Sequence, residues 1–593
     1  MFRFAFRLIG LIGVIVGSVA VLAAAPHETD VVTNAGWEEL GVGSASDGGV
    51  SGSGAVHGAP SVAIGLDNRP VVAWVDGSGG DYEIYVRRWD GSAWVEMGTG
   101  SASGGGISNN AGSSEEPTVA FGPDGMPVVA WVDNSLDDFE IYLRRWNGSA
   151  WEELGGSASF GGLSNNTNGS GGPSVVIGND LMPIVAWSNE AAGLFNREIY
   201  VRRWNGSSWL EMGTGSASGG GISNDEGIDR APSMAIGTDG LPIIAWSNDG
   251  PGCCLEIYVK RWNGSAWVEM GGSASDGGIS IGSGGADEPS LAIDSDGAFI
   301  VAWRNSFNFP NTDIYVRRWN GTAWVEMSQG SATERGISNN SGTSEAPSLA
   351  IGPDGAPVIV WHDDSGGDWE IYARRWNGAT WVEMDNGAAA GGGISDDGGN
   401  SRQPALAIGP NNTSVVVWTD FDGDIEVHSR RYQPCSPSWY NLHDQQPATT
   451  ATPTADLNWV FLPTVVHLMQ SYFAGPLEVE PNNSQLQANG PICSGYDYRG
   501  RPSDRYDVFA LDADSGQVIV ELTNHLAEGV QLQLHHQTIT PNPIAIDHNG
   551  ADGYRIDMPD APAGRYYVVI SNAQPDPGAT TRYTLTPTFT MSR

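Results

Sequence analysis

The sequence predicts an all-β chain: a seven-bladed β-propeller closed by an N-terminal strand, followed by a small C-terminal β-sandwich. Three observations carry this. The phrase EIYVRRWDGSAWVEMG (83–98) returns along most of the chain. Its copies fall 56 to 58 residues apart, at Trp89, Trp146, Trp204, Trp262, Trp319, Trp376 and Tyr432. Each copy belongs to a unit of four short segments rich in Val, Ile, Tyr and Trp and bounded by Gly, Pro, Asn or Asp. Several such four-stranded units in series spell a propeller.

The chain of 593 residues opens on MFRFAFRLIGLIGVIVGSVAVLAAAP, which reads as a signal peptide over 1–25. Arg3 and Arg7 supply the positive start, residues 8–22 the apolar stretch and 23–25 a small-residue cleavage zone. Pro26 disfavours a cut directly after Ala25, so cleavage is expected a residue or two earlier; a retained anchor is the competing reading. The mature protein is expected to be secreted or at the cell surface, with no membrane span after cleavage. A formal net charge of -40 argues against nucleic acid and anionic membranes as partners, because phosphate binding needs a basic surface. An extracellular glycan or protein is the expected partner of a monomer. Export permits disulfides among Cys253, Cys254, Cys435 and Cys493, whose spacing does not suggest zinc.

The propeller is expected over 34–432. In the second unit its strands are PTVAFG (117–122), PVVAWVD (127–133), EIYLRRW (140–146) and AWEELG (150–155). The first three segments occur seven times, opening at Pro60, Pro117, Pro173, Pro232, Pro289, Pro347 and Pro404. The fourth follows at Trp94, Trp151, Trp209, Trp267, Trp324 and Trp381, and a seventh copy, GWEELG, stands alone at 36–41. That N-terminal strand is expected to complete the blade whose other strands are 404–432, leaving no open sheet edge. An eighth blade using Trp439 is disfavoured by Pro434, Cys435 and Pro437.

Within each unit, W-[ND]-G-[SAT] predicts a two-residue type I′ hairpin with the flanking Trp pair packed across it. Fourteen of the 29 basic residues lie in the Arg-Arg doublets and their one Lys-Arg variant, expected as edge charges or partners for the many acids. The repeated phrase is therefore scaffold, and function is expected on the face that carries the long loops. The connection from strand four to the next strand one runs about eighteen residues, as in 99–116, and such long loops are uncommon unless functional or disordered. It carries one apolar residue at a fixed place before a serine (Val50, Ile107, Leu163, Ile222, Ile279, Ile337, Ile394), read as a peg into the core.

The loops from strand two to strand three vary most, yet each opens with Asp or Asn two residues after a Trp. Asp76, Asp133, Asn189, Asn248, Asn305, Asp363 and Asp420 are thus expected to ring the rim, as Asx turns or as ligand groups. Trp369, with Phe195, Phe307 and Phe309, is a candidate stacking surface in these loops. No HExxH motif or serine elbow stands out, and no catalytic residue is assigned. The propeller is similar to those of sialidases, although their Ser-x-Asp-x-Gly-x-x-Trp box is not in these turns; more diffusely, in its repeated Trp and Gly, the chain resembles bacterial lectin propellers.

Residues 433–475 form a Pro/Thr-rich linker with a short apolar segment, and 476–593 a further domain. LEVEPNNSQLQAN (477–489), SDRYDVFAL (503–511) and PAGRYYVVISN (562–572) resemble the bacterial pre-peptidase C-terminal domain, a β-sandwich appended to exported proteins. That resemblance implies a calcium site, for which Glu478, Glu480, Asn482, Asn483 and one of Asp504 or Asp507 are the matching positions. The combined expectation is a secreted, non-catalytic binding or adhesion protein. The alternatives are a glycan-cleaving propeller hydrolase and a structural surface-layer spacer.

Overall fold

The computed structural model describes residues 36–433, apart from short stretches at 47, 53, 137, 167, 191–195, 226, 250–254, 276, 281–283, 295, 307–310, 386, 397–398 and 422. It further describes eight strands between 498 and 589. Among these residues every regular element is a β-strand. Seven four-stranded antiparallel sheets follow one another in order, six of them with their strands in sequence from one edge to the other. The second blade is typical, with Ser114–Phe121, Pro127–Asp133, Glu140–Trp146 and Trp151–Glu153.

The ring closes as the strand count requires. Gly36–Glu39 pairs with Glu426–Gln433 in the seventh blade, with Trp37 opposite Tyr432 and their rings 5.4 Å apart. Arg431 Nε donates to Glu38 Oε1 at 2.7 Å across the same pair. The first strands form the inner ring. There a serine hydroxyl of one blade accepts from the next blade's backbone, as Ser61 does from Val119 N at 3.1 Å and Ser290 from Leu349 N at 2.9 Å.

The core lies between blades. Strand two is buried along nearly its whole length, Glu190 and Arg304 excepted, as a strand covered on both faces must be, and its Trp is fully buried in all seven blades (Trp74, Trp131, Trp187, Trp246, Trp303, Trp361, Trp418). At the outer hairpin the paired tryptophans meet at 5.6–5.8 Å, as in Trp204–Trp209 and Trp89–Trp94. The outer Trp then donates to the preceding blade, for example Trp151 Nε1 to Met97 O at 2.8 Å.

Two local expectations change. The hairpin turn is not type I′. The ladder ends at Trp146 opposite Trp151, and only Gly148 has positive φ. Asn147 Oδ1 closes the turn instead, accepting from Ser149 N and Ala150 N at 2.9 Å. The amide side chain thus replaces the second left-handed residue.

The first strands also begin before their prolines. In every blade the residue preceding the proline, or the one before that, has positive φ (Gly58, Glu116, Gly172, Ala231, Glu288, Ala346, Gln403) and lies in a shift of register. Proline has no N–H to give the ladder, so a bulge absorbs it and the strand continues on the far side.

The described C-terminal strands form two four-stranded antiparallel sheets, one holding 498–500, 583–589, 516–523 and 554–561, the other 506–513, 564–572, 530–536 and 545–547. Each has buried apolar residues on alternate positions, Val518, Val520 and Leu522 in one and Leu532 and Leu534 in the other.

Candidate functional site

The long loops are held to the scaffold by bonds that recur around the ring. The peg residue is buried, and its N–H donates to strand three of the preceding blade: Ile107 N to Ile84 O at 2.7 Å, Leu163 N to Ile141 O at 2.8 Å. The serine after it accepts from the same strand, Ser108 Oγ from Ile84 N at 2.8 Å, and donates to Glu83. The first base of the doublet in the next blade bonds the peg's carbonyl: Arg87 to Val50 O at 2.6 Å, Arg202 to Leu163 O at 2.5 Å, Lys260 to Ile222 O at 2.7 Å. The second arginine pairs with the Asp of the turn between strands one and two, as in Arg88–Asp67, Arg145–Asp124 and Arg375–Asp354. The doublets therefore fix loops and turns, which accounts for a large part of the chain's scarce positive charge.

The seven rim residues form the ring read from the sequence, but beneath the surface: none of Asp76, Asp133, Asn189, Asn248, Asn305, Asp363 and Asp420 is more than 5% exposed. Asp76 Oδ1 accepts from Ser78 N and Asp133 Oδ1 from Ser135 N, both at 2.9 Å, which is the Asx turn. The other Asp133 oxygen accepts from Asn110 Nδ2 at 2.5 Å, Ser114 Oγ at 2.8 Å and Trp131 Nε1 at 3.3 Å. Asp363 repeats the set with Asn340, Ser344, Trp361 and Ser365. Burial pushes Glu83 and Glu140, which tie the loops, above the ordinary carboxylate range against the bonds of Ser108 and Ser164.

Closer to the axis lies a set of residues that the sequence reading missed. The bulge and the residue after each strand-two Trp put one side-chain pair per blade at the inner mouth of the long-loop face. The pairs are His57/Val75, Glu115/Val132, Gly171/Ser188, Arg230/Ser247, Asp287/Arg304, Glu345/His362 and Arg402/Thr419. The rest of the strand framework is nearly invariant, yet these positions within it change around the ring. That contrast within the repeat was the available signal.

In blades four to six the mouth is a continuous charge network. Arg230 Nη2 donates to Asp287 Oδ2 at 2.7 Å, and Arg304 reaches Asp287 at 3.3 Å, Glu288 at 3.6 Å and Glu345 at 2.9 Å. His362 Nε2 lies 3.7 Å from Glu345 Oε2. Burial would raise Asp287, but the Arg230 guanidinium outweighs it and holds its carboxyl below the ordinary range. The facing His362 ring likewise holds Glu345 low, whereas burial pushes Glu288 up despite Arg304.

Aromatic side chains stand on the same face, one of them beside the network. Trp369 is half-buried, with the Arg402 guanidinium 4.5 Å over its ring and His362 at 4.9 Å. Tyr82 stacks on His57 at 4.5 Å. Leu136, Phe139, Phe160 and Phe421 in the same face's loops are exposed. Phe195, Phe307, Phe309, the four cysteines, Glu478, Glu480, Asn482, Asn483 and Asp504 lie outside the described residues, and Asp507 is described only as part of a strand.

No family model matches the chain, and no curated protein matches it significantly. Solved structures similar to it include a Hadza microbial sialidase, 14% identical, covering 61% of this chain and 73% of that one with a TM-score of 0.37. An α-L-arabinanase of Penicillium chrysogenum is 13% identical, covering 54% and 93% with a TM-score of 0.32. The pre-peptidase C-terminal domain of a Bacillus anthracis collagenase is 21% identical, covering 16% of this chain and 90% of its own, with a TM-score of 0.15. At such identities a likeness concerns fold alone. The assignment of a seven-bladed, all-β propeller stands on the strand pairing of its own seven sheets.

Proposed function

We propose that the protein is a non-catalytic, extracellular binding protein that takes a glycan on the long-loop face of its propeller, at the inner mouth. One observation carries the reading: the units agree in their scaffold residues and differ at the mouth, where charged side chains in fixed networks stand beside aromatic rings. Hydroxyl-rich ligands are gripped by such sets, with carboxylates and guanidinium groups bonding hydroxyls and an aromatic face packing on the sugar ring. The buried Asp and Asn ring acts in this reading from beneath, holding the loops that shape the mouth. The N-terminal segment directs export, and the C-terminal sheets serve as an accessory domain with calcium at Glu478, Glu480, Asn482, Asn483 and Asp504 or Asp507.

A glycan-cleaving enzyme is the second reading. Arg304 lies 3.6 Å from Glu288 Oε2 and 2.9 Å from Glu345 Oε1, so two carboxylates share one guanidinium at the mouth, and a carboxylate pair is what glycoside hydrolysis uses.

The test is a glycan array probed with the full chain, with calcium and with EDTA, against Arg304→Gln and Trp369→Ala. Selective binding lost in both variants supports the mouth. Binding that survives both variants removes the site from it, and silence on all glycans removes the glycan reading. Turnover of a bound glycan that stops in Glu288→Gln establishes the enzyme instead.

A further inference from the structure

The geometry points to a site for a hard divalent cation of the calcium class at the junction of blades three and four, held by Glu198, Asp225 and Asp229. This site is independent of the inner mouth and of the calcium positions expected in the C-terminal region. Each of the three side chains offers a carboxylate oxygen, and these oxygens all lie within 4.8 Å of one another. Oxygen donors bearing full charge at that spacing are the donor set such a cation takes.

The cluster arises where the unit's hydrogen-bond pattern is inverted. Blades two and six place Asp on strand two, with Asn and Ser donors in the loop and on strand one. Blade four has Asn248 on strand two, and Asp225 and Asp229 take the places of Asn110 and Ser114. Asn248 Nδ2 donates to Asp225 Oδ2 at 2.7 Å and to Asp229 Oδ1 at 2.6 Å, and Trp246 Nε1 donates to Asp229 Oδ1 at 2.9 Å. Glu198, from blade three, accepts from Ser223 at 2.6 Å.

A second observation separates this from an ordinary acidic cluster. Asp229 is 0% exposed, and its Oδ2 has no hydrogen-bond partner: the Ser223 hydroxyl lies near this carboxyl but gives its one proton to Glu198. A buried carboxylate oxygen without a donor has lost its hydration and gained no bond in exchange, so it is unfavourable unless something else fills the place. Lys260 is a cation whose field reaches all three acids, and its ammonium is bonded to Ile222 O. Three carboxylates therefore face one ammonium. The cluster is thus short of positive charge. A divalent cation supplies both that charge and a partner for Oδ2.

The experiment is terbium luminescence of the full chain, with Tb³⁺ as the probe and Ca²⁺ as competitor. The Trp246 indole, bonded to Asp229, is placed to sensitise an ion held there. Asp229→Ser and Asp225→Asn install residues that other blades carry at these positions, so either is compatible with the fold. Asp363→Asn is the control for a buried rim carboxylate outside the cluster. The expected result is that both blade-four variants bind one Tb³⁺ fewer than the wild type and lose the matching part of the Ca²⁺-induced rise in Tm, whereas Asp363→Asn keeps both. Equal stoichiometry in wild type, Asp229→Ser and Asp225→Asn overturns the site, as does a wild type that shows no sensitised emission.

Discussion

The stations at the entry to blade two and the entry to blade four share a backbone and differ in where they keep their charge. At the first, one carboxylate, Asp133, receives Asn110, Ser114, Trp131 and the backbone of Ser135. At the second, Asn248 stands in its place and gives its protons to two carboxylates, with Glu198 as the third acid within reach. The first balances donors against acceptors. The second has too few donors, and an oxygen of Asp229 is left over. The repeat thus fixes shape, while departures from it mark where something other than the scaffold is recognised. The inner mouth obeys the same rule, since Arg304 and His362 stand on strand two where the other blades carry Val, Ser or Thr.

The largest effect is expected from breaking the frame that carries both stations. Deleting residues 34–43 removes the strand Gly36–Glu39 and the Trp37–Tyr432 contact, opening the ring at blade seven. Thermal unfolding should begin about 10 °C or more lower, and an unchanged Tm would show that closure does not hold the ring.

The next change tests whether the stations share one core. Trp131→Ala and Trp246→Ala each empty a fully buried site, at about 3–5 kcal/mol by denaturant titration. Similar losses are expected despite the different charges above them; a loss confined to one blade would make the stations unlike in packing as well.

A smaller, matched pair concerns the loop approach. Gly106→Ala and Gly221→Ala each place a Cβ 2.1 and 2.3 Å from the Ile84 and Ile199 carbonyl oxygens, at φ of +64° and +62°. Both should lose about 1–3 kcal/mol, and tolerance at either would mean that its loop is not held as described.

The smallest effect should come from Arg145→Met, which removes the partly exposed Arg145–Asp124 pair. About 1 kcal/mol or less is expected in the same titration, and a loss well beyond that would give the outer turns a larger structural share.

Much of this frame was legible in the sequence. Counting fourth-strand copies placed GWEELG in the last blade, and the fixed apolar residue before Ser108 and its counterparts identified the pegs. Both signals are periodic, and periodicity is what a repeat amplifies. The bulges were not legible, because Glu116, Ala231 and Gln403 share no side-chain chemistry that marks a positive φ. The type I′ assignment failed because Asn147 closes the turn with its side chain. The inner mouth and the blade-four cluster were passed over for the opposite reason. Arg304, His362, Asp225 and Asp229 are single departures, and reading for repetition discards them.

The most direct measurement is an anomalous-difference map from crystals of the full chain soaked in Tb³⁺. The account predicts a peak among Glu198, Asp225 and Asp229, at about 2.3–2.6 Å from their oxygens, and none at the Asn110–Asp133 or Asn340–Asp363 stations. No peak at the blade-four cluster, or equal peaks at all three stations, would contradict the claim that recognition enters where the repeat is broken.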